Sequence, residues 1–257
     1  MGDTYQCTGP ASEKRATKGW NHELAVDRIY VWAVPTPIVI LVLQNEVEPD
    51  NRYFVPEIRR HLEAAGATVR VHPYADTGGR PDPLDDADAV VLSGSTAGVY
   101  ETESYPWMDD LREVVRELRD ASVPTLGICF GHQLVNDALG GRVEHRGFRK
   151  GIETVRFGDD PLFEGVGPRV PVVHGDFVVK LGEGLTPIAG ADYHAHIATC
   201  HRDAPVWTVQ YHPELTATLL PRIDEDFGWP TGPDDRDFSE VTVERTLSNF
   251  VDLAGEA

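Results

Sequence analysis

A chain of 257 residues is long enough to bury one sizeable α/β core but short for two full domains. Its formal net charge of -19 at pH 7 argues against a nucleic-acid surface, because phosphate binding needs clustered basic residues. Three scattered cysteines are too few for a disulfide framework or a metal site, and they predict a reducing, cytoplasmic setting. The apolar run 29–43 is broken by Pro35 and Pro37, so we expect no membrane span.

The basic residues are mostly arginine. Of the 23 Lys and Arg residues, four are lysines, at positions 14, 18, 150 and 180. An Asp-rich, Lys-poor surface is typical of proteins from a high-salt cytoplasm, where salt screens the repulsion between like charges. The charge pattern therefore predicts a high-salt habitat, a hypothesis that equal stability in dilute buffer and in molar salt would contradict.

The first half of the chain alternates between strand and helix patterns. Residues 1–36 have mixed polarity and several breakers, which predicts an irregular extension before a domain over 37–257. The aliphatic run Ile38–Leu43 predicts a strand buried on both faces. The elements predicted next are a helix from about Arg52 to Ala65, strands Thr68–His72 and Ala89–Leu92, a helix from Trp107 to about Asp120, a strand over 123–128 and a helix from Phe130 to Leu139. This α/β alternation predicts an open, mostly parallel sheet flanked by helices, with ligand sites at the carboxyl ends of the strands.

The second half has a different pattern. From Gly141 onward, short apolar runs separated by turn residues predict a small antiparallel extension that completes the site. Strands are expected at 154–157, 170–173, 177–180, 196–200 and 206–211, and a last helix over 241–253. Cys200 lies in one of these apolar runs and is expected in the core, Cys7 is expected to have no role, and residues 229–235 are expected to form a surface loop.

The segment Gly127–Gly131 places a thiol between two glycines, where the predicted strand ends and the predicted helix begins. A Gly-x-Cys-x-Gly turn of this kind is a nucleophile elbow. Its apical residue has a strained, usually positive φ, and its glycines let the strand and helix approach closely. The helix N-terminus stabilises negative charge, and the N–H of Phe130 can point at an oxyanion. We therefore interpret Cys129 as a nucleophile rather than as a cysteine packed like a small apolar residue.

A thiolate needs a base, and the base needs a group that orients it. The best candidates are His212 and Glu214, which follow a predicted strand and are separated by Pro213. The proline holds the backbone in an extended turn, so that the two side chains could hydrogen-bond and the carboxylate could set the imidazole tautomer. Most of the ten histidines are expected to be ordinary surface or packing residues. His212 is distinguished from them by the carboxylate of Glu214, which follows two positions later across a proline.

The Gly-x-Cys-x-Gly-His-Gln segment over 127–133 and the late His-Pro-Glu segment over 212–214 resemble those of class I, triad-type glutamine amidotransferases. The resemblance covers about residues 38–254. It implies a flavodoxin-like α/β fold, with Cys129 as nucleophile, His212 as base and acid, and Glu214 as the orienting carboxylate. Thiol hydrolysis of an amide needs no cofactor, and none is implied.

The resemblance also implies an oxyanion hole made of two backbone N–H groups. One belongs to Phe130, the residue after the nucleophile. In the family the other comes from the turn after the third strand, usually Gly-Gly-Pro or Asn-Gly-Pro. This chain has Gly94-Ser95-Thr96 there, so the second donor is assigned to Ser95, next to Gly94.

Two further positions resemble those that hold the glutamine substrate. One is Gln133, and the other is the expected turn His174-Gly175-Asp176, where backbone groups of Gly175 and Asp176 would make the contacts. The implied reaction is attack of the thiol on the side-chain amide of glutamine, release of ammonia, and hydrolysis of the thioester by water. The substrate expected from this resemblance is glutamine or another γ-glutamyl compound.

Within the family, the layout resembles the amidotransferase part of GMP synthase. That enzyme also needs an ATP-pyrophosphatase unit with a Ser-Gly-Gly-x-Asp loop, which this sequence lacks, so a separate ATP-dependent synthetase subunit would be its partner. Alternatively, the strip Arg149–Glu153 and the turn Ser93–Ser95 with Trp107 resemble stand-alone γ-glutamyl peptidases. A catalytically silent regulatory or binding relative is a third alternative, against which the complete set of Cys129, His212 and Glu214 argues.

Overall fold

The computed structural model describes residues 37–257 except Arg80, Asp82, Pro83 and Asp85, so the predicted N-terminal extension and Cys7 lie outside the described residues. The α-helices of the described part, α1 to α6, are Phe54–Ala64, Tyr74–Thr77, Trp107–Asp120, Phe130–Ala138, Leu220–Phe227 and Arg245–Glu256. The strands, β1 to β10, are Val39–Leu43, Thr68–His72, Ala89–Leu92, Thr125–Ile128, Arg142–Thr154, Arg156–Phe157, Arg169–Lys180, Leu185–Ala191, His194–His201 and Val206–Val209.

The central sheet has eight strands in the order β2-β1-β3-β4-β10-β9-β8-β6. The first five of these run parallel, and β9, β8 and β6 extend the sheet in antiparallel fashion. The remaining strands, β5 and β7, form a separate antiparallel ribbon. The predicted fold class, a mostly parallel sheet with a small antiparallel extension, is therefore confirmed.

Both faces of the sheet are covered by helices, as the alternation of side chains in β1 shows. Ile40 and Val42 belong to a core cluster that includes residues of α1 and α6, whereas Leu41 and Leu43 belong to a second cluster with residues of α3 and α4. All four side chains are at most 1% exposed. Successive side chains of a strand point to opposite faces, so a strand buried on both sides must be aliphatic throughout.

The ribbon corrects one part of the sequence interpretation. The prediction of two strands separated by a turn at His174–Asp176 is wrong, because these residues lie inside the continuous strand β7, where His174 and Asp176 pair with β5. The irregularity occurs in the partner strand, where the register shifts between His145 and Arg149 and Gly147 has a φ of 96°. A bulge built around a glycine in β5 lets β7 stay extended through the candidate substrate-binding residues.

Other differences concern single elements. The sequence pattern does not predict α2, β8, α5 or the part of β5 before Thr154. Pro187 and Gly190 interrupt the apolar pattern of β8. Trp229 lies in a segment expected at the surface, yet it is 2% exposed and donates its Nε1–H to the carbonyl of Asp235 at 2.7 Å. Cys200 is buried in β9, as predicted. None of the helices in the described residues has both the length and the hydrophobicity that a membrane-spanning helix needs.

Candidate active site

Three loops that carry predicted site residues meet at one edge of the sheet. They follow β3, β4 and β10, which are neighbouring parallel strands, so their carboxyl ends lie side by side. The loop after β3 carries Ser95, the end of β4 carries Cys129, and the loop after β10 carries His212. A Cβ atom on Gly94 would lie 3.5 Å from Cε1 of His212 and 3.7 Å from Cβ of Cys129, which shows how closely the three loops approach one another.

Cys129 has φ 52° and ψ -102° and is the N-cap residue of α4, which confirms the positive φ expected at the elbow. Its backbone N–H donates to the carbonyl of Val209 at 2.8 Å. The flanking glycines are sterically required. A Cβ on Gly127 would lie 2.6 Å from the carbonyl oxygen of Gly131, and a Cβ on Gly131 would collide with the carbonyl oxygen of Leu92. The elbow therefore depends on the close approach of β3, β4 and α4.

The Gly131→Ala variant should be destabilised by about 2 kcal/mol or more, because its Cβ has no room against the backbone of β3. The matched control is Gly255→Ala in α6, where the nearest atom to the new Cβ, Cγ2 of Ile38, lies 3.9 Å away. Since alanine favours the helix, this control should be neutral or stabilised by up to about 1 kcal/mol. Urea unfolding measures both, and equal effects of the two variants would contradict the steric explanation.

His212 and Glu214 form a buried hydrogen-bonded pair. Nδ1 of His212 lies 2.9 Å from Oε1 of Glu214, and the two residues are 4% and 0% exposed. Beside a carboxylate, Nδ1 is assigned as the protonated nitrogen. Burial disfavours the charged ring, but the electrostatic and hydrogen-bond influence of the neighbouring Cys129 and Glu214 outweighs burial and raises the pKa of His212 well above its ordinary value. The imidazole can therefore carry a proton next to the thiol.

Gln210 was not singled out by the sequence, although it lies against the thiol. It is fully buried, and its Nε2 lies 3.7 Å from Sγ of Cys129. Its Oε1 accepts a hydrogen bond from Nε2 of Gln133 at 3.3 Å. The side chain thus links a predicted substrate-binding residue to the predicted nucleophile, with its amide orientation assigned from these two contacts. The sequence feature that could have identified Gln210 is its position two residues before His212.

The two candidate oxyanion donors come from the elbow itself and from the loop after β3. Phe130 is the first residue of α4, and the first N–H groups of a helix have no intrahelical acceptor. Ser95 lies in the loop after β3 and lines the cavity of the site. In the described part of the chain, neither N–H donates to another backbone or side-chain group. Both are therefore free to donate to a ligand.

A cavity of about 450 Å³ opens beside His212, and its lining includes Gln133, Gly175 and Asp176, the predicted substrate-binding residues. Nε2 of Gln133 donates to the backbone carbonyl of Asp176 at 3.2 Å. The cavity is of the size that holds small organic ligands. The structure thus places all three residues on one wall of the cavity.

The side chain of Asp176 organises the entrance of this cavity. Its Oδ1 accepts a hydrogen bond from the hydroxyl of Tyr100 at 3.1 Å and lies 3.0 Å from Nδ1 of His145. Burial, together with the charge of Asp176, raises the pKa of Tyr100 to about 12, so the hydroxyl keeps its proton. Neither Tyr100 nor His145 has a signal in the sequence, because they come from distant segments.

The histidines near the site differ in charge according to their neighbours. Burial lowers the pKa of His174 to about 4 and that of His194 to about 3, and it lowers the pKa of His132 well below its ordinary value. These three rings are therefore neutral at neutral pH. His212 differs because a carboxylate and the thiol accompany it. Of these four histidines, His212 is the one whose surroundings favour the protonated ring.

Comparison with known proteins gives a consistent result. The family model described as glutamine amidotransferase class-I matches residues 49–228. The glutamine-hydrolyzing GMP synthase of Thermotoga maritima is 36% identical over 137 residues, which are 52% of this chain and 26% of the synthase. A shorter relative from Halobacterium salinarum, named as one subunit of a glutamine-hydrolyzing GMP synthase, is 37% identical over 142 residues, which are 53% of this chain and 72% of the relative. The chain thus matches only about a quarter of the full-length synthase.

Solved structures show the same fold. A glutamine amidotransferase from Thermotoga maritima superposes with a TM-score of 0.69 at 20% identity, covering 86% of this chain and all of that one. A glutamine amidotransferase from Methylobacillus flagellatus gives a TM-score of 0.62 at 17% identity, covering 86% of this chain and 94% of the other. At these identities the likeness concerns the fold.

Proposed function

This chain belongs to the class-I glutamine amidotransferase family, and from that membership we propose that it hydrolyses the side-chain amide of glutamine with Cys129, His212 and Glu214 as its catalytic triad. The observation that carries the proposal is the buried His212–Glu214 pair at 2.9 Å beside a thiol at a positive-φ elbow. A protonated imidazole next to Cys129 corresponds to a thiolate–imidazolium pair, which is ready for nucleophilic attack.

In the proposed reaction, the Cys129 thiolate attacks the amide carbon of glutamine and forms a tetrahedral adduct. The N–H groups of Ser95 and Phe130 stabilise its oxyanion. His212 then gives its proton to the departing nitrogen, so that ammonia leaves and a γ-glutamyl thioester remains. A water molecule, deprotonated by His212, attacks the thioester, and glutamate and the thiolate are released. Glu214 keeps the imidazole oriented throughout.

The substrate would lie in the cavity with its amide at Cys129 and its amino-acid end toward Gln133, Gly175 and Asp176. This orientation is supported by the position of the three residues on one wall of the cavity. The chemistry uses only groups of the chain and water. We assign it to a domain over residues 37–257 and to a cytoplasmic setting.

We further propose that the ammonia is passed to a separate ATP-dependent synthetase subunit, as in a GMP-synthase-like system. The names of the relatives support this proposal, because the Halobacterium salinarum protein is named as a single subunit of a GMP synthase. The full synthase of Thermotoga maritima, of which this chain matches 26%, contains much more sequence than the amidotransferase region.

A stand-alone γ-glutamyl peptidase is the second candidate, and the outer part of the cavity favours it. Phe148 and Tyr100, each 54% exposed, line the cavity together with Phe227 and add apolar surface on which a second residue of a γ-glutamyl peptide could pack. The strip Arg149–Glu153 and Trp107, whose sequence also suggested a peptidase, make structural contacts. Arg149 pairs with Glu153 at 2.6 Å, and Trp107 packs against Phe130.

Assays of the isolated chain separate these functions. We expect slow hydrolysis of free glutamine that rises at least about tenfold when an ATP-pyrophosphatase subunit of a GMP synthase and its nucleotide substrates are added. Rapid cleavage of γ-glutamyl dipeptides without any partner would instead establish the peptidase. Inactivity under every condition, with a thiol that does not react with electrophiles, would establish the silent relative and contradict the proposed function.

A further inference from the structure

Glu46 is a buried carboxylate outside the triad, in the loop after β1, and it binds the loop after β3. It is 5% exposed. Its Oε2 accepts the backbone N–H of Thr96 at 2.9 Å, and its Oε1 accepts the hydroxyl of Thr96 at 2.6 Å. Oε1 also accepts the backbone N–H of Glu48 at 2.8 Å. Thr96 directly follows Ser95, the candidate oxyanion donor.

Burying a carboxylate costs free energy unless hydrogen bonds or opposite charges compensate for the lost hydration. Burial raises the pKa of Glu46, although the hydrogen bonds from Thr96 and Glu48 oppose the rise. The guanidinium of the nearby Arg52 pairs with Asp76 instead, at 2.7 Å. No ion pair to the Glu46 carboxylate occurs among residues 37–257 as far as the structure describes them. Backbone and hydroxyl donors therefore provide its stabilisation, and Thr96 in the loop after β3 supplies two of them.

A second set of contacts fixes the peptide that precedes Ser95. The hydroxyl of Ser93 accepts the backbone N–H of Asn45 at 2.9 Å and donates to the carbonyl of Gly94 at 3.0 Å. The side-chain amide of Asn45 donates to the carbonyl of Ser93 at 3.2 Å. In a planar trans peptide, the C=O and N–H point in opposite directions. Holding the Gly94 carbonyl therefore sets the direction of the Ser95 N–H.

Ser95 is thus held on both sides by the segment Asn45–Glu46. Asn45 acts through Ser93 on the peptide before Ser95, and Glu46 acts on the peptide after it. A residue without a backbone N–H, such as proline, could not make this contact at position 96. Thr96 has that N–H, and it is the group that binds Glu46.

We infer that Glu46 is a positioning residue, which holds the Ser95 N–H in the direction that the oxyanion requires. This inference rests on the proposed function, because it assumes that Ser95 serves an oxyanion. Glu46 acts through the backbone of Thr96 and not on the substrate itself. Its effect should therefore appear in the transition state and not in substrate binding.

The test compares Glu46→Gln and Glu46→Ala with Glu48→Gln, a control that alters an exposed carboxylate in the same loop. We expect Glu46→Gln to lower kcat for glutamine hydrolysis by about 10- to 100-fold, with KM changed by less than about threefold. Glu46→Ala should lower kcat further, because a glutamine at this position keeps one acceptor oxygen and an alanine keeps none. Glu48→Gln should stay within about twofold of the wild type.

Alkylation of Cys129 by iodoacetamide is the second readout, because formation of a thioether develops no oxyanion. Its rate should stay within about twofold in both Glu46 variants. An unchanged kcat in the Glu46 variants, or a parallel fall in kcat and alkylation rate, would overturn the inference. If the wild type hydrolyses no γ-glutamyl substrate at all, the proposed function fails instead, so the two failures are distinguishable.

Discussion

The Cys129→Ala variant should have no measurable glutaminase activity, with kcat lowered by at least about 10⁴-fold, and should keep its fold. The other cysteine in the described part of the chain, Cys200, is buried in β9 and cannot take over the attack. Alanine also has a Cβ, so the strain at φ 52° is the same in both proteins. Only the few contacts of the sulfur are lost, such as the one to Gln210 at 3.7 Å.

The measurement is the release of ammonia and glutamate from glutamine, with thermal unfolding as the control for the fold. Calorimetric binding of glutamine to the inactive variant adds a second control, since the cavity wall formed by Gln133, Gly175 and Asp176 is unchanged. Retention of the wild-type rate in Cys129→Ala would show that another group attacks the amide. The proposed mechanism would then be wrong.

The Glu214→Gln variant should lose about 10²- to 10⁴-fold in kcat, although its side chain has nearly the same shape. The carboxylate accepts the Nδ1–H of His212 at 2.9 Å, and its charge supports the imidazolium. Removing a negative neighbour lowers the pKa of an imidazole, because the charged ring loses its stabilisation. The decline of activity at high pH, where His212 loses its proton, should therefore move to lower pH in the variant.

A profile of kcat against pH, combined with an NMR titration of the His212 ring, measures this shift directly. The matched control is Asp137→Asn, which changes an acid of α4 that pairs with Arg112 at 2.7 Å and does not contact the triad. We expect its kcat to stay within about twofold of the wild type and its pH profile to be unchanged. A Glu214→Gln profile that coincides with the wild type would contradict the orienting role.

Elements with a strong local pattern were predictable to the residue. Strands Thr68–His72 and Ala89–Leu92 and helix Trp107–Asp120 have the bounds that their apolar spacing predicts. The elbow was predictable as well, since two glycines around a cysteine at a strand end have a direct steric reason, now visible in the contacts of Gly127 and Gly131. Such signals arise within a few neighbouring residues.

Other features depend on partners that are far away in the chain. Strand β7 stays extended through His174–Asp176 because β5 pairs with it and takes up the bulge at Gly147. Trp229 is buried because Leu215 and Ile223 pack with it, although its own segment is rich in turn residues. No local pattern contains this information, since the stabilising contacts are formed only when the chain has folded.

The sequence by itself determined the α/β alternation, the elbow at Cys129, and the pairing of His212 with Glu214 across Pro213, because each follows from neighbouring residues and backbone stereochemistry. Only the tertiary structure decided that Gln210 faces the thiol and that Glu46 holds the turn around Ser95. These contacts join loops from different strands, 50 residues apart for Glu46 and Thr96, and they exist because parallel strands bring their carboxyl ends to one edge of the sheet.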